Sequence, residues 1–564
     1  DFMSKRITIF TLSILALFIA CEKPLEGWNK YVHSKDALKA QNAITAELLN
    51  KHISTLASDE FEGRFPGTLG EEKTIEYLTD TYESLGLQPG NPDGTWLQKA
   101  TMTGMISELK AQFITDEERW VMNVGEEIVG NSFQTNDQVN LKNRDLIFCG
   151  YGVNAPEYDW NDFDGVDVKG KVIVVLVNDP PVIKDGALDN SMFGGKAMTY
   201  YGRWSYKFEE GLRQGAVGVL VVHETIPAGY PFGVLQSGYA GEQLTIEDPN
   251  TTPLAFQGWI PLASAERLFK MNGLDYHELK SASIKPNFKA VPMEAKFTSN
   301  MTNSVRRFSS NNIIAKYEGN DPELKNEYII YTAHWDHLGK NRKLDGDQIY
   351  NGANDNASGT GMIMAAAEAF SNLKNGSKRS ILFLAVTAEE QGLLGAKFYS
   401  LNPLYPLNKT LAVMNIDAMG NTYGKTKDLI VVGKGNSELD KILEFAAAQD
   451  SKYLIPDAEA EKGFYYRSDH FAFAKQGVPA LYADGGLDVV GKGKDYGHEK
   501  KDEYTNENYH GVTDEVKDDW KYDGMVEDGR ILFRVGYAIG QHSKWPEWGE
   551  GTEFKAKREA MLQK

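Results

Sequence analysis

Tyr328-Ile329-Ile330-Tyr331-Thr332-Ala333 is an apolar run that stops in His334-Trp335-Asp336. Two later runs repeat the arrangement: Ile381-Leu382-Phe383-Leu384-Ala385-Val386 leads to Glu389-Glu390, and Leu411-Ala412-Val413-Met414-Asn415-Ile416 leads to Asp417. Short runs that are apolar at nearly every position read as strands buried on both faces, the signature of a parallel sheet. Between the first two lie a loop, Gly352-Ala353-Asn354-Asp355-Asn356-Ala357-Ser358-Gly359, and an Ala-rich stretch, 360–373, that reads as a helix. In an open α/β sheet ligands gather beyond the carboxyl ends of the strands, which is where these acids and imidazoles fall.

The chain has 564 residues, too many for one ordinary core, so two or three domains are expected. Its formal charge of -19 leaves no basic surplus to neutralise phosphates and excludes nucleic acid as the expected partner. Lys5 and Arg6 precede an apolar run from Ile7 to Ala20, a layout of export signals that is too short to span a bilayer comfortably. Leu17-Phe18-Ile19-Ala20-Cys21 resembles a bacterial lipoprotein processing site. That resemblance implies a signal peptide over 1–21 and an exported chain held to a bacterial membrane, periplasmic or at the cell surface, through a lipid on Cys21. Cys149 is the one other cysteine, so a metal site built on several thiolates is excluded. Within Asp145-Leu146-Ile147-Phe148-Cys149 it reads as a buried strand thiol.

Around this centre the chain reads as follows. Helical spacing covers 43–56 and 71–85, separated by the Gly/Pro-rich Gly63-Arg64-Phe65-Pro66-Gly67, which reads as a loop. After about Gly125 short strands follow at Asp145–Cys149, Lys171–Val177 and Gly218–Val222, with a helix over 200–214 stopped by Gly215. Beyond 300 come strands at Ser310–Ala315 and Gly477–Tyr482 and helices over 438–449 and 524–540. His223, His337 and His542 read as ordinary structural or surface residues.

Hard carboxylate oxygens mixed with imidazole nitrogens suit zinc in a catalytic site, and a two-metal site needs one carboxylate that reaches both ions. Asp355, in a loop of small residues, is the natural bridge. Five motifs, His334-Trp335-Asp336, Asp355-Asn356-Ala357-Ser358-Gly359, Glu389-Glu390-Gln391-Gly392-Leu393-Leu394-Gly395, Asn415-Ile416-Asp417 and Tyr509-His510, occur in the order found in the co-catalytic dizinc aminopeptidases, which the sequence resembles from about Ala43 to its end. That family also holds glutamate carboxypeptidase, glutaminyl cyclase and the transferrin receptor. Gly150-Tyr151-Gly152-Val153 and Gly165-Val166-Asp167-Val168-Lys169-Gly170-Lys171-Val172, with the Gly215–Val219 approach to the next strand, resemble the protease-associated domain inserted in some exopeptidases.

The resemblance implies a zinc exopeptidase fold: an α/β domain with a mixed, mostly parallel sheet flanked by helices, in two parts over 22–125 and 298–564, interrupted by a β-rich protease-associated domain over 126–297. It implies two Zn2+ per chain, with Asp355 bridging, His334 and Asp417 on one ion, and Glu390 and His510 on the other. Glu389 is then the general base and Tyr509 the group that steadies the oxyanion. Asp336 is expected to fix the tautomer of His334, and Asp514 that of His510. His470 and His498 are rival imidazoles, with His470 assigned to the pocket behind the ligands. The peptide after Asp355 is a candidate for the cis form. The implied activity is removal of N-terminal residues from peptides; a metallocarboxypeptidase or dipeptidase is the alternative within the class, ahead of a one-zinc cyclase, and a receptor-like binding protein without catalysis is the alternative outside it.

Overall fold

The computed structural model describes residues 24–246, 251–419 and 422–563, so the expected export signal and Cys21 lie outside the described residues. The three decisive runs are the strands Tyr328–His334, Ser380–Val386 and Thr410–Asn415, every residue of which is buried. Tyr328–His334 lies in the middle, parallel to both of the others. Burial on two faces removes the polar alternation that a half-exposed strand shows, hence the unbroken apolar runs. The Ala-rich helix, Gly359–Ser371, packs on this layer between Ala46–Leu56 and Asp523–Gln541; its small side chains let the helices approach closely.

The sheet order is Tyr453–Pro456, Asp428–Val432, Ala480–Gly485, Thr410–Asn415, Tyr328–His334, Ser380–Val386, Val291–Tyr317, Gln138–Phe148, Val172–Leu176, Gly218–His223, Phe256–Pro261, Val129–Asn131. Along this order parallel pairings outnumber antiparallel ones, so the central sheet is mixed and mostly parallel, as expected. Val291–Tyr317 carries the order from one half to the other: its start pairs with Gln138–Phe148 and its end with Ser380–Val386, both antiparallel. Leu97–Ile114 runs antiparallel beside the same strand from Lys296 to Ile313. The expected boundary after Phe297 therefore falls within a continuous strand.

Trp204–Arg213 and Leu262–Met271 are helices of the region expected as the insert, the first starting four residues later than its spacing suggested because Tyr200–Gly202 forms a separate turn. Cys149 is fully buried, as expected. The strand expected at Gly477–Tyr482 begins at Ala480, since Pro479 has no N–H to donate. Among the described residues no helix is long and apolar enough to cross a membrane.

Candidate metal centre and active site

His334 ends its strand, Glu389 and Glu390 follow Val386, and Asp417 follows Asn415, so three strand ends deliver acids and an imidazole to one edge of the sheet. The fourth contribution is the irregular turn Ala353–Ser358, buried throughout, in which the Asp355–Asn356 peptide is cis. Asn356 ties this turn to the Asp417 segment: its Nδ2 donates to the Ile416 carbonyl at 3.1 Å and its Oδ1 accepts from the amides of Gly359 and Ala418 at 2.9 and 3.1 Å. Only glycine fits at 359, where a Cβ would stand 2.3 Å from the Ile416 carbonyl oxygen.

The two oxygens of Asp355 face two different donor sets. Its Oδ1 is 3.2 Å from His334 Nε2, which lies 3.3 Å from Asp417 Oδ1. Its Oδ2 is 3.2 Å from His510 Nε2, which lies 3.0 Å from Glu390 Oε2. Ligands about 2.1 Å from a shared tetrahedral ion stand about 3.4 Å apart, so both sets have the spacing of a metal's first shell. Asp336, Asp355, Glu389, Glu390, Asp417, Asp469 and Asp514 crowd this edge, and such a density of buried carboxylates calls for cations. The donor chemistry and the spacing both fit zinc.

The local electrostatics follow from that crowding. Burial works against a charged His334, but Glu389, Asp355 and Asp417 outweigh it and hold its pKa well above the usual value. Burial and the Asp355 carboxylate act to raise Glu390, yet His510 and His337 bring it down to about 2. Glu389 goes the other way: burial, reinforced by Glu390, Asp469 and Asp417, raises it well above the carboxylate range. Tyr509, 41% exposed, stacks on His510 with ring centroids 4.0 Å apart, and partial desolvation at the rim of the site together with Asp355 and Glu390 raises the pKa of its hydroxyl.

Two expected supports act differently from their assignment. Asp336 meets His334 through its main chain: the backbone carbonyl is 3.1 Å from Nδ1, whereas its carboxylate stands 3.8 Å away and accepts the Glu389 amide at 3.0 Å. Asp514 serves Asp355 rather than His510; its carboxylate accepts the amides of Asn354 and Asp355 at 3.1 and 3.0 Å. His470 is enclosed between the rings of Tyr465 and Tyr482 and forms no ion pair with a candidate ligand among the described residues. Burial lowers its pKa to about 3, so it is a neutral wall behind Tyr482. His498 is exposed on the helix Lys494–Glu507.

Three residues that the sequence did not single out belong to the site. His337, expected at the surface, is fully buried, with Nδ1 2.7 Å from Glu390 Oε1. With Asp355 and Glu390 it makes a donor set rivalling the one that contains His510. Its signal was its place three residues beyond His334. Asp469 is fully buried, both of its carboxylate oxygens lack a hydrogen-bond partner among the described residues, and its neighbour Ser468 donates to Asp417 Oδ2 at 2.5 Å. Arg64, from the Gly/Pro-rich loop, is buried and donates to the carbonyls of Trp335, Leu56, Asn351 and Gly352 at 2.6–2.9 Å. Burial lowers its pKa only to about 10, because Asp336, Asp514, Asp355 and Glu390 counter it; it is the fixed cation behind the carboxylates. Arg64→Met should therefore lower the unfolding free energy by about 3 kcal/mol or more in urea titrations, and Arg64→Lys should recover only part, since an ammonium cannot fork to four carbonyls.

Residues 312–525 match the model of peptidase family M28. Leucine aminopeptidase 2 of Arthroderma otae is 30% identical over 295 residues, 48% of this chain and 54% of that protein. Aminopeptidase Y of Saccharomyces cerevisiae is 25% identical over 239 residues, 41% of this chain and 39% of its own. The chain thus spans about half the length of the first of these curated relatives. Among solved structures it is similar to an aminopeptidase from Aneurinibacillus sp. strain AM-1, with a TM-score of 0.48 and 17% identity over 90% of this chain and 97% of that one. The strand ends, the Asp355 turn and the segment that carries His510 all lie inside the matched range, and the chain carries a domain of peptidase family M28 over residues 312–525.

Proposed function

We propose that the protein is a zinc-dependent exopeptidase, and specifically an aminopeptidase acting on peptides with a free N-terminus. The observation that carries this reading is that the buried Asp355 faces two imidazoles, one oxygen 3.2 Å from His334 Nε2 and the other 3.2 Å from His510 Nε2, beside a glutamate, Glu389, whose Oε2 is 4.0 Å from His334 Nε2. His334, Asp355 and Asp417 would hold one zinc and Asp355, Glu390 and His510 the other, with His337 orienting Glu390 from behind. When bound, the ions supply Lewis acidity and a more acidic water. Glu389, whose Oε2 is 4.0 Å from His334 Nε2, takes the proton of the attacking water and delivers it to the departing amine. Tyr509 donates its hydroxyl hydrogen to the carbonyl oxygen as negative charge gathers there.

Metal analysis combined with hydrolysis of leucyl p-nitroanilide, with and without an N-acetyl group, tests the reading. Two zincs per chain and cleavage of only the unblocked substrate are expected; cleavage of N-blocked peptides from the C-terminus would instead make it a carboxypeptidase. His510→Ala should remove one zinc. His337→Gln should keep both ions at saturation but bind the weaker one about 10- to 100-fold less tightly, as seen for residues that orient a metal's ligands. A loss of one zinc from His337→Gln with retention in His510→Ala would exchange the two assignments. The region from 126 to 297 is read as a protease-associated domain, and Cys21 as the site of a lipid anchor, the latter checked by mass spectrometry of the membrane-extracted protein.

A further inference from the structure

The helix Pro24–Val32 joins the fold at the end opposite the metal centre. It packs against Asp523–Gln541, whose direction is fixed by the strands. Tyr331, midway along Tyr328–His334, donates to the Leu532 carbonyl at 2.8 Å. Further along, the Gly540 carbonyl accepts at 3.2 Å the amide of Arg379, which immediately precedes Ser380–Val386. The last turn of Asp523–Gln541 therefore lies at the starts of the parallel strands, whereas His334, Glu389 and Asp417 stand at or beyond their ends. Ser34 Oγ is 3.4 Å from the Tyr537 hydroxyl, and the buried Trp28 has its ring 5.0 Å from that of His542. From Ser34 back to Trp28 the chain thus moves away from the metal centre, and Pro24 opens the helix at the far pole. The Ala-rich helix shows the same separation. It starts at Gly359, beside the Asp355 turn, and its 13 residues span about 20 Å before the chain reaches Lys374 and Asn375, whose amides Asp36 accepts at 2.9 and 2.8 Å.

This far pole is basic in a chain whose formal charge is -19. Lys30, Lys35 and Lys374 are exposed there and form no ion pair among the described residues. Acids that contact the same segments are engaged: Asp36 by the two amides, Glu327 by Arg379 at 2.7 Å and by Trp545 at 3.0 Å, and Glu438 by Lys544 at 2.8 Å. In the sequence Cys21 stands three residues before Pro24, a reach of at most about 11 Å when fully extended.

We infer that the pole formed by Pro24–Val32, Lys35–Ala40 and residues 372–378 rests on the anionic headgroups of the membrane that holds Cys21, so that the metal edge faces away from the bilayer. The inference rests on the reading of Cys21 as a lipid anchor and is independent of the peptidase reading. A tether this short keeps the pole against the headgroups, where ammonium groups without an internal partner meet lipid phosphates. The cleft then opens toward peptides arriving from the aqueous side.

The test is the depth of two single labels. Cys149 is buried and an acylated Cys21 is blocked, so an introduced cysteine is the reactive thiol. Asn375→Cys marks the far pole, and Asn506→Cys marks the metal edge, on Lys494–Glu507 just before Tyr509 and His510; both positions are exposed. Each membrane-extracted, fluorophore-labelled protein is reconstituted in vesicles of equimolar phosphatidylcholine and phosphatidylglycerol that carry a headgroup nitroxide. Quenching at 375 should exceed that at 506 at least about fivefold, because the quencher acts near contact and the Ala-rich helix alone separates the two ends by about 20 Å. Replacing Lys30, Lys35 and Lys374 together by Glu, or using phosphatidylcholine alone, should lower quenching at 375 by about half or more while the acyl chain keeps the protein on the vesicles. Equal quenching at the two positions, or more at 506, overturns the orientation, and quenching at 375 indifferent to both changes overturns the headgroup contact. If mass spectrometry finds Cys21 unmodified in the membrane-extracted protein, the anchor reading falls and this inference with it; an acylated Cys21 with equal quenching removes the inference alone.

Discussion

Glu389→Gln should cut hydrolysis about a hundred- to ten-thousandfold while zinc stays at two per chain. The geometry separates Glu389 from the ligands: its Oε2 is 4.0 Å from His334 Nε2, whereas Asp355 and Asp417 stand at 3.2 and 3.3 Å from the same nitrogen. Its main chain is fixed by the Asp336 carboxylate, so the side chain is aimed without being coordinated. Glutamine keeps the size and a hydrogen-bonding oxygen but cannot accept and return a proton. His334, Glu389 and Glu390 do form a rival donor set on distance alone. Plasma emission analysis decides between the two: loss of one zinc from Glu389→Gln would make Glu389 a ligand and leave the proton transfer without its carrier, while near-normal rates would remove the mechanism altogether.

The parts of the fold that were legible in the sequence are those where burial leaves no choice of residue. Tyr328–His334, Ser380–Val386 and Thr410–Asn415 are enclosed on both faces, so each position is constrained and the run announces itself. That His334, Asp355, Glu390, Asp417 and His510 gather at one edge of the sheet was legible because each follows a strand or sits in a compact motif. Val291–Tyr317 shows the opposite case. Its middle, Ser299 to Ser310, mixes exposed and buried polar residues in a ribbon, and nothing in the pattern marks it as one strand. Arg64 was read as part of a loop because its role depends on carbonyls as distant as Gly352, 288 residues further along the chain. His337 and Asp514 were misplaced for a related reason: spacing identifies which residues gather at the edge of a sheet, but which partner each touches depends on how the chain turns there. Asp514 meets the amides of the Asp355 turn only because the segment after His510 folds back over it.

Asp355→Ala should abolish activity and, unlike any other ligand change, empty both metal positions. Asp417→Ala removes a donor from the His334 set alone, so it should cost one zinc and leave the second bound. Asp355 contributes an oxygen to each set, and without it His334 with Asp417, and His510 with Glu390, are left as pairs too sparse to hold an ion against water. Thermal unfolding supplies an independent reading. Zinc at a thousand times its Kd adds about 4 kcal/mol to the stability of a protein that binds it only when folded. Wild type should therefore melt well above its chelator-treated form, and Asp355→Ala should show no such difference. The metal-free variant should be less stable than metal-free wild type, because His334 and His510, each 3.2 Å away, outweigh burial and hold Asp355 well below the usual carboxylate range, and its removal leaves two imidazoles short of a partner. If Asp355→Ala kept one tightly bound zinc and its melting shift, the carboxylate would serve a single ion and the two donor sets would have to be drawn apart.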